Sequence, residues 1–273
     1  MSVNHQYAGF LDSNLLWNHS SLFQLPQFKP KDFYPITNCN ISIDIPENEV
    51  LGKRIEHFFN YFLQNNKNYR VLLNNLQIFK DKITIGELDF LIKDLTQNNI
   101  LHVELIYKFY LYDPHLSDKS IERWIGPNRK DSLLEKVIKL KEKQLPLLYR
   151  TETIDYLKEL GIDPSAILQN VCFFGNLFVP LPYLNQNLPL LNNDCIVGYW
   201  IREEDFNLKK YGLELFYIPE KKDWIVHPKH HTTWFTFEQI SKQLQQHLAH
   251  KKSPLLWIKS TGDSFSKCFV VWW

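Results

Sequence analysis

The sequence predicts an α+β fold, a sandwich of helices against a sheet, and three observations predict it. Between Leu51 and Tyr112 one segment with helical spacing is followed by three segments of about 10 residues rich in Val, Ile, Leu, Tyr and Phe. The links between those three, Lys80-Asp81-Lys82 and Thr96-Gln97-Asn98-Asn99, are short and polar, as between antiparallel neighbours. A further amphipathic helix and a continuous apolar run, residues 171–179, then complete the order αβββαβ.

Residues 1–46 read as an N-terminal helical extension that packs on the core. Its helical pattern runs from Tyr7 to Trp17, and three prolines in LPQFKPKDFYPI forbid a continued helix. Residues 47–182 read as the core. Pro46-Glu47-Asn48-Glu49 places acids at a helix N-terminus, Leu51, Ile55, Phe58, Phe59, Phe62 and Leu63 form the apolar stripe, and Asn65, Asn66 and Asn68 end the helix. After Tyr112, turn signals at Asp113-Pro114 and Gly126-Pro127 lead to a helix over 128–144, stopped by Pro146. A short helix from Thr151 to Leu160 ends at Gly161. Residues 183–273 read as a smaller C-terminal α+β region. Strands are expected at 196–201, 213–218, 224–226, 255–259 and 267–272 around a helix from Thr236 to His250, with a hairpin turn at Pro219–Asp223.

Composition narrows the function classes. Hydrophobic residues are 44% and charged residues 22%, which excludes a disordered chain. A net charge of +1 excludes a global polyanion-binding surface and leaves only local basic patches. Cys39, Cys172, Cys195 and Cys268 contain no C-x-x-C pair and read as buried reduced thiols. The N-terminus lacks a basic region leading into an apolar run, and VCFFGNLFVPLPYL is interrupted by Gly and Pro, so a soluble cytoplasmic protein is expected. His227, His230 and His231 lack a further spaced partner and read as a surface loop. The tryptophans read mostly as core.

The acids carry the chemistry. Glu87 and Asp89 share one face of the second strand; Glu104, Ile106 and Lys108 share one face of the third. Leu88, Phe90, Leu91 and Ile92 around Asp89, and Val103, Leu105 and Ile106 around Glu104, are apolar, so each acid needs a charged or metal partner. Glu87 reads equally as a solvated face. Two carboxylates on adjacent strands suit a hard divalent cation, Mg²⁺ or Mn²⁺.

Leu51-Gly52 with Glu56, Asn75, Gly86-Glu87-Leu88-Asp89 and Val103-Glu104 resemble the PD-(D/E)XK (restriction-endonuclease-like) nuclease superfamily. Most of the chain, through Lys108-Phe109-Tyr110-Leu111 and Gly126-Pro127-Asn128-Arg129, also resembles the bacterial domain of unknown function 1853 family. The first resemblance implies phosphodiester hydrolysis on nucleic acid. Asp89 and Glu104 would hold the metal, the Leu105 carbonyl would be a third ligand, and Glu56 would assist. It also implies a lysine two residues after Glu104, where this chain has Ile106. Lys108, about 7 Å further along the same face, is assigned that role; Lys130 or Lys136 from the following helix, or no lysine at all, stay open. Asn128, Arg129 and Lys130 are expected to contact phosphate at a helix start. Two rivals remain: a catalytically silent nuclease-like fold that binds nucleic acid or protein, and metal-dependent chemistry on another phosphoester.

Overall fold

The structure, a computed structural model, describes residues 1–35, 40–260, 262 and 264–273, without the side chain of His230. Cys39 therefore lies outside the described residues; Cys172, Cys195 and Cys268 are buried free thiols.

The chain opens with α1 (Val3–Leu11), capped by the Ser2 side chain, and a small hairpin, β1 (Ser21–Leu22) and β2 (Leu25–Pro26). The core follows as α2 (Leu51–Gln64), β3 (Tyr69–Lys80), β4 (Ile83–Asp94), β5 (Asn99–Tyr112), β6 (Trp124–Ile125), α3 (Leu133–Lys139), α4 (Thr151–Glu159) and β7 (Ile167–Pro180). The C-terminal part adds β8 (Ile196–Arg202), α5 (Leu208–Tyr211), β9 (Leu215–Tyr217), α6 (Phe237–Ala249), β10 (Leu255–Ser260) and β11 (Ser264–Val271). The αβββαβ order is present, and the architecture is a mixed α+β sandwich. Residues 183–273 extend the same sheet, whose nine strands run β3-β4-β5-β7-β8-β11-β10-β9, with β6 paired to β5.

The centre of the sheet is the parallel pair β5 and β7, in register from Ile100↔Ile167 to Leu111↔Phe178. Period-two alternation along these strands sorts their side chains into two layers. Val103, Phe109, Leu111, Cys172, Phe174 and Phe178 face Phe58, Phe59 and Phe62 of α2. Ile106, Tyr110, Val171, Phe173 and Leu177 face Leu133, Val137 and Leu140 at α3. The chain between β5 and β7 passes through α3 and α4, the long crossover that parallel strands require. Over β9, β10 and β11, α6 covers Phe216, Leu256, Ile258, Cys268 and Val270. The N-terminal extension does pack on the core: the Phe10, Phe33 and Phe174 rings lie with centroids 5.2–5.5 Å apart.

Several local expectations are corrected. The first helix spans Val3–Leu11, because Ser13 turns its hydroxyl back onto the Gly9 carbonyl just past the helix end. No acid lies in the first turn of α2; the 46–49 segment instead wraps Arg54, whose guanidinium donates to the carbonyls of Pro46, Glu47 and Glu49 and to Gln6 Oε1. Residues 219–223 make no hairpin, since β9 pairs with β10 from the far side of α6. Residues 224–226 are a turn, not a strand: Trp224, Ile225 and Val226 are all driven into the core after a single 3₁₀ turn at Lys221–Asp223. The helix expected from Asn128 begins at Leu133, capped by the Ser132 side chain.

Two glycines serve as a test of this packing. A Cβ on Gly9 would sit 2.1 Å from the Ile225 carbonyl oxygen, whereas one on Gly52 would meet nothing within 4 Å. Gly9→Ala is expected to cost about 1–3 kcal/mol by overpacking, while Gly52→Ala should change stability by less than about 1 kcal/mol. Urea denaturation of both variants checks the pair.

Candidate functional site

The site arises where the sheet forks. β4 pairs with β5 only from Asp94↔Asn99 to Phe90↔Val103. Beyond Phe90 the chain of β4 stays with β3 and leaves β5. β5 continues along β7 and regains a partner on the vacated edge only at Leu111↔Ile125, in β6. Residues 104–110 thus border a gap between β4 and β6. The alternation of a strand turns the backbone groups of Leu105, Tyr107 and Phe109 toward that gap. A groove of about 390 Å³ fills it, with Glu56, Lys108, Asn128, Lys130, Asp131, Lys136, Lys221 and Trp224 among its walls.

Asp89 and Glu104 stand at the apex of the fork. The Leu105 N–H, released from the ladder, donates to Asp89 Oδ2 at 2.8 Å. Burial pushes the Asp89 carboxyl up to about 8, and the Glu104 charge pushes it the same way; the Leu105 bond and Lys136 oppose this. Glu104 is wholly buried. His102 Nε2 lies 3.0 Å from Glu104 Oε1, and the Gln144 amide donates to Glu104 Oε2.

Lys136 lies within electrostatic reach of both acids. Its Nζ donates to Gln144 Oε1 at 2.7 Å. Burial pulls it down to about 8, against the attraction of Glu104 and Asp89. After α3 the helix changes to a π turn over Leu140–Gln144 and then to 3₁₀ over Leu145–Tyr149. A π turn underwinds the helix, and such turns cluster at functional sites. Here the underwinding brings Gln144 round to the face that carries Lys136, so one amide spans Lys136 and Glu104.

Glu56 faces the same opening from α2. Its carboxyl is pushed up by burial, offset by Lys53, whose amine lies 2.7 Å away, and by Asn75. Asn75 sits in β3 at φ 50°, a backbone position that Asn tolerates better than most residues. Lys53 also reaches Glu87 at 3.4 Å, which ties Glu87 to the rim.

The remaining predicted residues separate into two groups. Lys108 and Lys130 line the groove, and Lys108 Nζ is 2.7 Å from Asp131 Oδ2. Asn128 lines it too, but its Oδ1 accepts from the Ser253 N–H at 2.8 Å, so it ties the loop to the chain before β10 and caps no helix. Arg129 does not line it: its guanidinium is paired with Asp113 at 2.7 Å and lies 4.0 Å over the Trp273 ring. Ile106 is in the apolar layer under α3. His227 packs against Trp257 and Phe265, and His231 stacks on Tyr217 at 3.5 Å. Among the described residues no group of three or more His, Cys, Asp or Glu converges as a metal cluster, and no helix is long and apolar enough to cross a membrane.

Sequence reasoning missed His102, Gln144 and Gln169. His102 had a signal, since it stands two residues before Glu104 on the same strand face. Gln144 and Gln169 had none, because Gln144 reaches Glu104 only through the π turn and Gln169 reaches His102 only through the β5–β7 register.

The domain-of-unknown-function model DUF1853 matches residues 35–271. The chain belongs to that family. The match spans β3 to β11 and therefore includes every strand and side chain of the fork. No curated protein and no solved structure matches the chain.

The Asp89 shift fixes a pH dependence. Between an ordinary carboxyl range and about 8 the folded state holds a proton that the unfolded chain has lost, so stability falls as pH rises through this window. Asp89→Asn removes that cost. It should raise Tm by roughly 2–6 °C at pH 8, with the gain shrinking toward pH 4. Thermal melts of both proteins across pH 4–8 measure it, and a gain that grew on acidification would contradict the assignment.

Proposed function

We propose that the fork is a divalent-cation-dependent phosphodiester hydrolysis site acting on nucleic acid, in a core similar to the PD-(D/E)XK nucleases. The observation that carries this reading is the Lys136 amine, which lines the groove within electrostatic reach of the buried Asp89 and Glu104, while Ile106 packs in the apolar layer under α3. In this reading the amine that Ile106 cannot provide is supplied by Lys136 of α3.

The donor set fits a hard cation. Asp89 and Glu104 are two carboxylates whose mutual repulsion in a buried setting a divalent charge would relieve. The Leu105 carbonyl is turned toward the same edge. Mg²⁺ or Mn²⁺ held by these groups would polarise the phosphoryl oxygens and lower the pKa of a bound water. The chain's own groups do the rest. Lys136, half-buried and close to neutral range, stands where charge develops on the phosphoryl group and neutralises it at short range. Glu56, held by Lys53 and Asn75, orients water at the groove mouth. Lys108, Lys130 and Lys221 along the walls attract the phosphate backbone.

One observation favours a silent, binding-only fold: both oxygens of Glu104 already accept side-chain donors. A single assay separates the two readings. Single- and double-stranded DNA and RNA are incubated with the protein in Mg²⁺ or Mn²⁺ and resolved on gels. The expected result is cation-dependent cleavage that Asp89→Asn and Glu104→Gln abolish. Lys136→Met should lower the rate roughly 10²–10³-fold, and Lys108→Met less than about 10-fold. Cleavage that survives Asp89→Asn overturns the site. Salt-sensitive binding without cleavage in either metal selects the binding-only fold.

A further inference from the structure

Among the described residues His102 is the one fully buried histidine, and nothing in the proposed chemistry uses it. Its surroundings fix where its proton is. The Gln169 side-chain nitrogen lies 3.0 Å from His102 Nδ1 and also donates to the Leu145 carbonyl at 2.6 Å. An amide nitrogen only donates, so Nδ1 is the acceptor. The imidazole proton is then on Nε2, which donates to Glu104 Oε1 at 3.0 Å. On the other side, Gln144 accepts from the Lys136 ammonium and donates to Glu104 Oε2. A continuous hydrogen-bonded chain joins the Leu145 carbonyl, Gln169, His102, Glu104, Gln144 and Lys136.

We propose that His102 is a positioning residue. As the neutral Nε2–H tautomer set by Gln169, it fixes the plane and rotamer of the Glu104 carboxylate so that, with Asp89, it presents its remaining lone pairs to a divalent cation. The inference rests on the cation-binding reading of the fork. Outer hydrogen-bond partners of this kind orient ligating groups, and their loss typically weakens metal binding about 10–100-fold. The arrangement also explains a buried imidazole on the strand face that carries Glu104 and the apolar Ile106 and Tyr110. A histidine retained only for packing would not need Gln169, which reaches across from β7 at the pair His102↔Gln169.

Two measurements test it. The first is Mn²⁺ binding, followed by loss of the free-ion paramagnetic resonance signal, on wild type, Asp89→Asn, His102→Leu and His102→Gln. The glutamine amide places an N–H near the position of Nε2; leucine keeps bulk without a donor. His102→Leu is expected to weaken Mn²⁺ about 10–100-fold, and His102→Gln to recover most of that loss. If wild type binds and Asp89→Asn does not, while His102→Leu binds like wild type, the positioning role falls and the cation site stands. If wild type binds no Mn²⁺, both fall. Equal weakening in the leucine and glutamine variants overturns the donor role. The second measurement needs no variant that must fold. In ¹⁵N-histidine-labelled wild type at neutral pH, His102 is expected to show a protonated Nε2 and an unprotonated Nδ1. The opposite tautomer, or a doubly protonated ring, overturns the proposal.

Discussion

The separation of β4 from β5 after Phe90↔Val103 is the constraint on which the site depends. In an unbroken ladder α2 and α3 would stay on opposite faces of the sheet, with no common space between them. The fork removes the strand that would divide them along residues 104–110. Glu56 from the α2 layer and Lys136 from the α3 layer then meet at one opening. The fork also leaves the Leu105 N–H without a strand partner, and the Asp89 carboxylate takes it. A backbone donor buried without an acceptor would cost about 1–3 kcal/mol, so the acid that disturbs the sheet electrostatically also completes its hydrogen bonding.

The electrostatics at the apex are costly and organised. Two buried carboxylates repel, and the nearest amine is itself desolvated. Natural cores avoid such groups unless they are paired or coordinate a cation. Here the frustration is contained by amides and a neutral imidazole, which supply donors without adding net charge. The arrangement trades stability for a poised local field, a pattern expected where a fold carries chemistry. The cost is borne by groups on the continuous β5–β7 register on one side and the helical segments 133–149 on the other.

Much of this was legible from residue order. The meander was readable because its three strands are long, rich in β-formers and joined by short polar links. Asp89 and Glu104 stood out because acids among apolar neighbours demand a partner. The supporting set was less legible. Lys108 had the right strand face but finds Asp131, and Lys136 is linked to Glu104 through Gln144, which the π turn at Leu140–Gln144 brings to its face. Arg129 looked like a phosphate contact from its loop, yet Trp273, the last residue of the chain, folds back over it. The hairpin and strand expected at 219–226 failed because their apolar residues are consumed by the core rather than by a sheet edge.

By itself the sequence determined the αβββαβ order, the two acids and their strand faces, because these follow from local periodicity and from the cost of burying a charge. Tertiary structure alone decided that residues 183–273 extend the same sheet, that the ladder opens at Asp89, and that Lys136, Gln144 and His102 close around Glu104. Gln144 with Glu104 and Gln169 with His102 and Leu145 are joined across separations of 24 to 67 residues through strand register and helix winding, and no local pattern encodes separations of that kind.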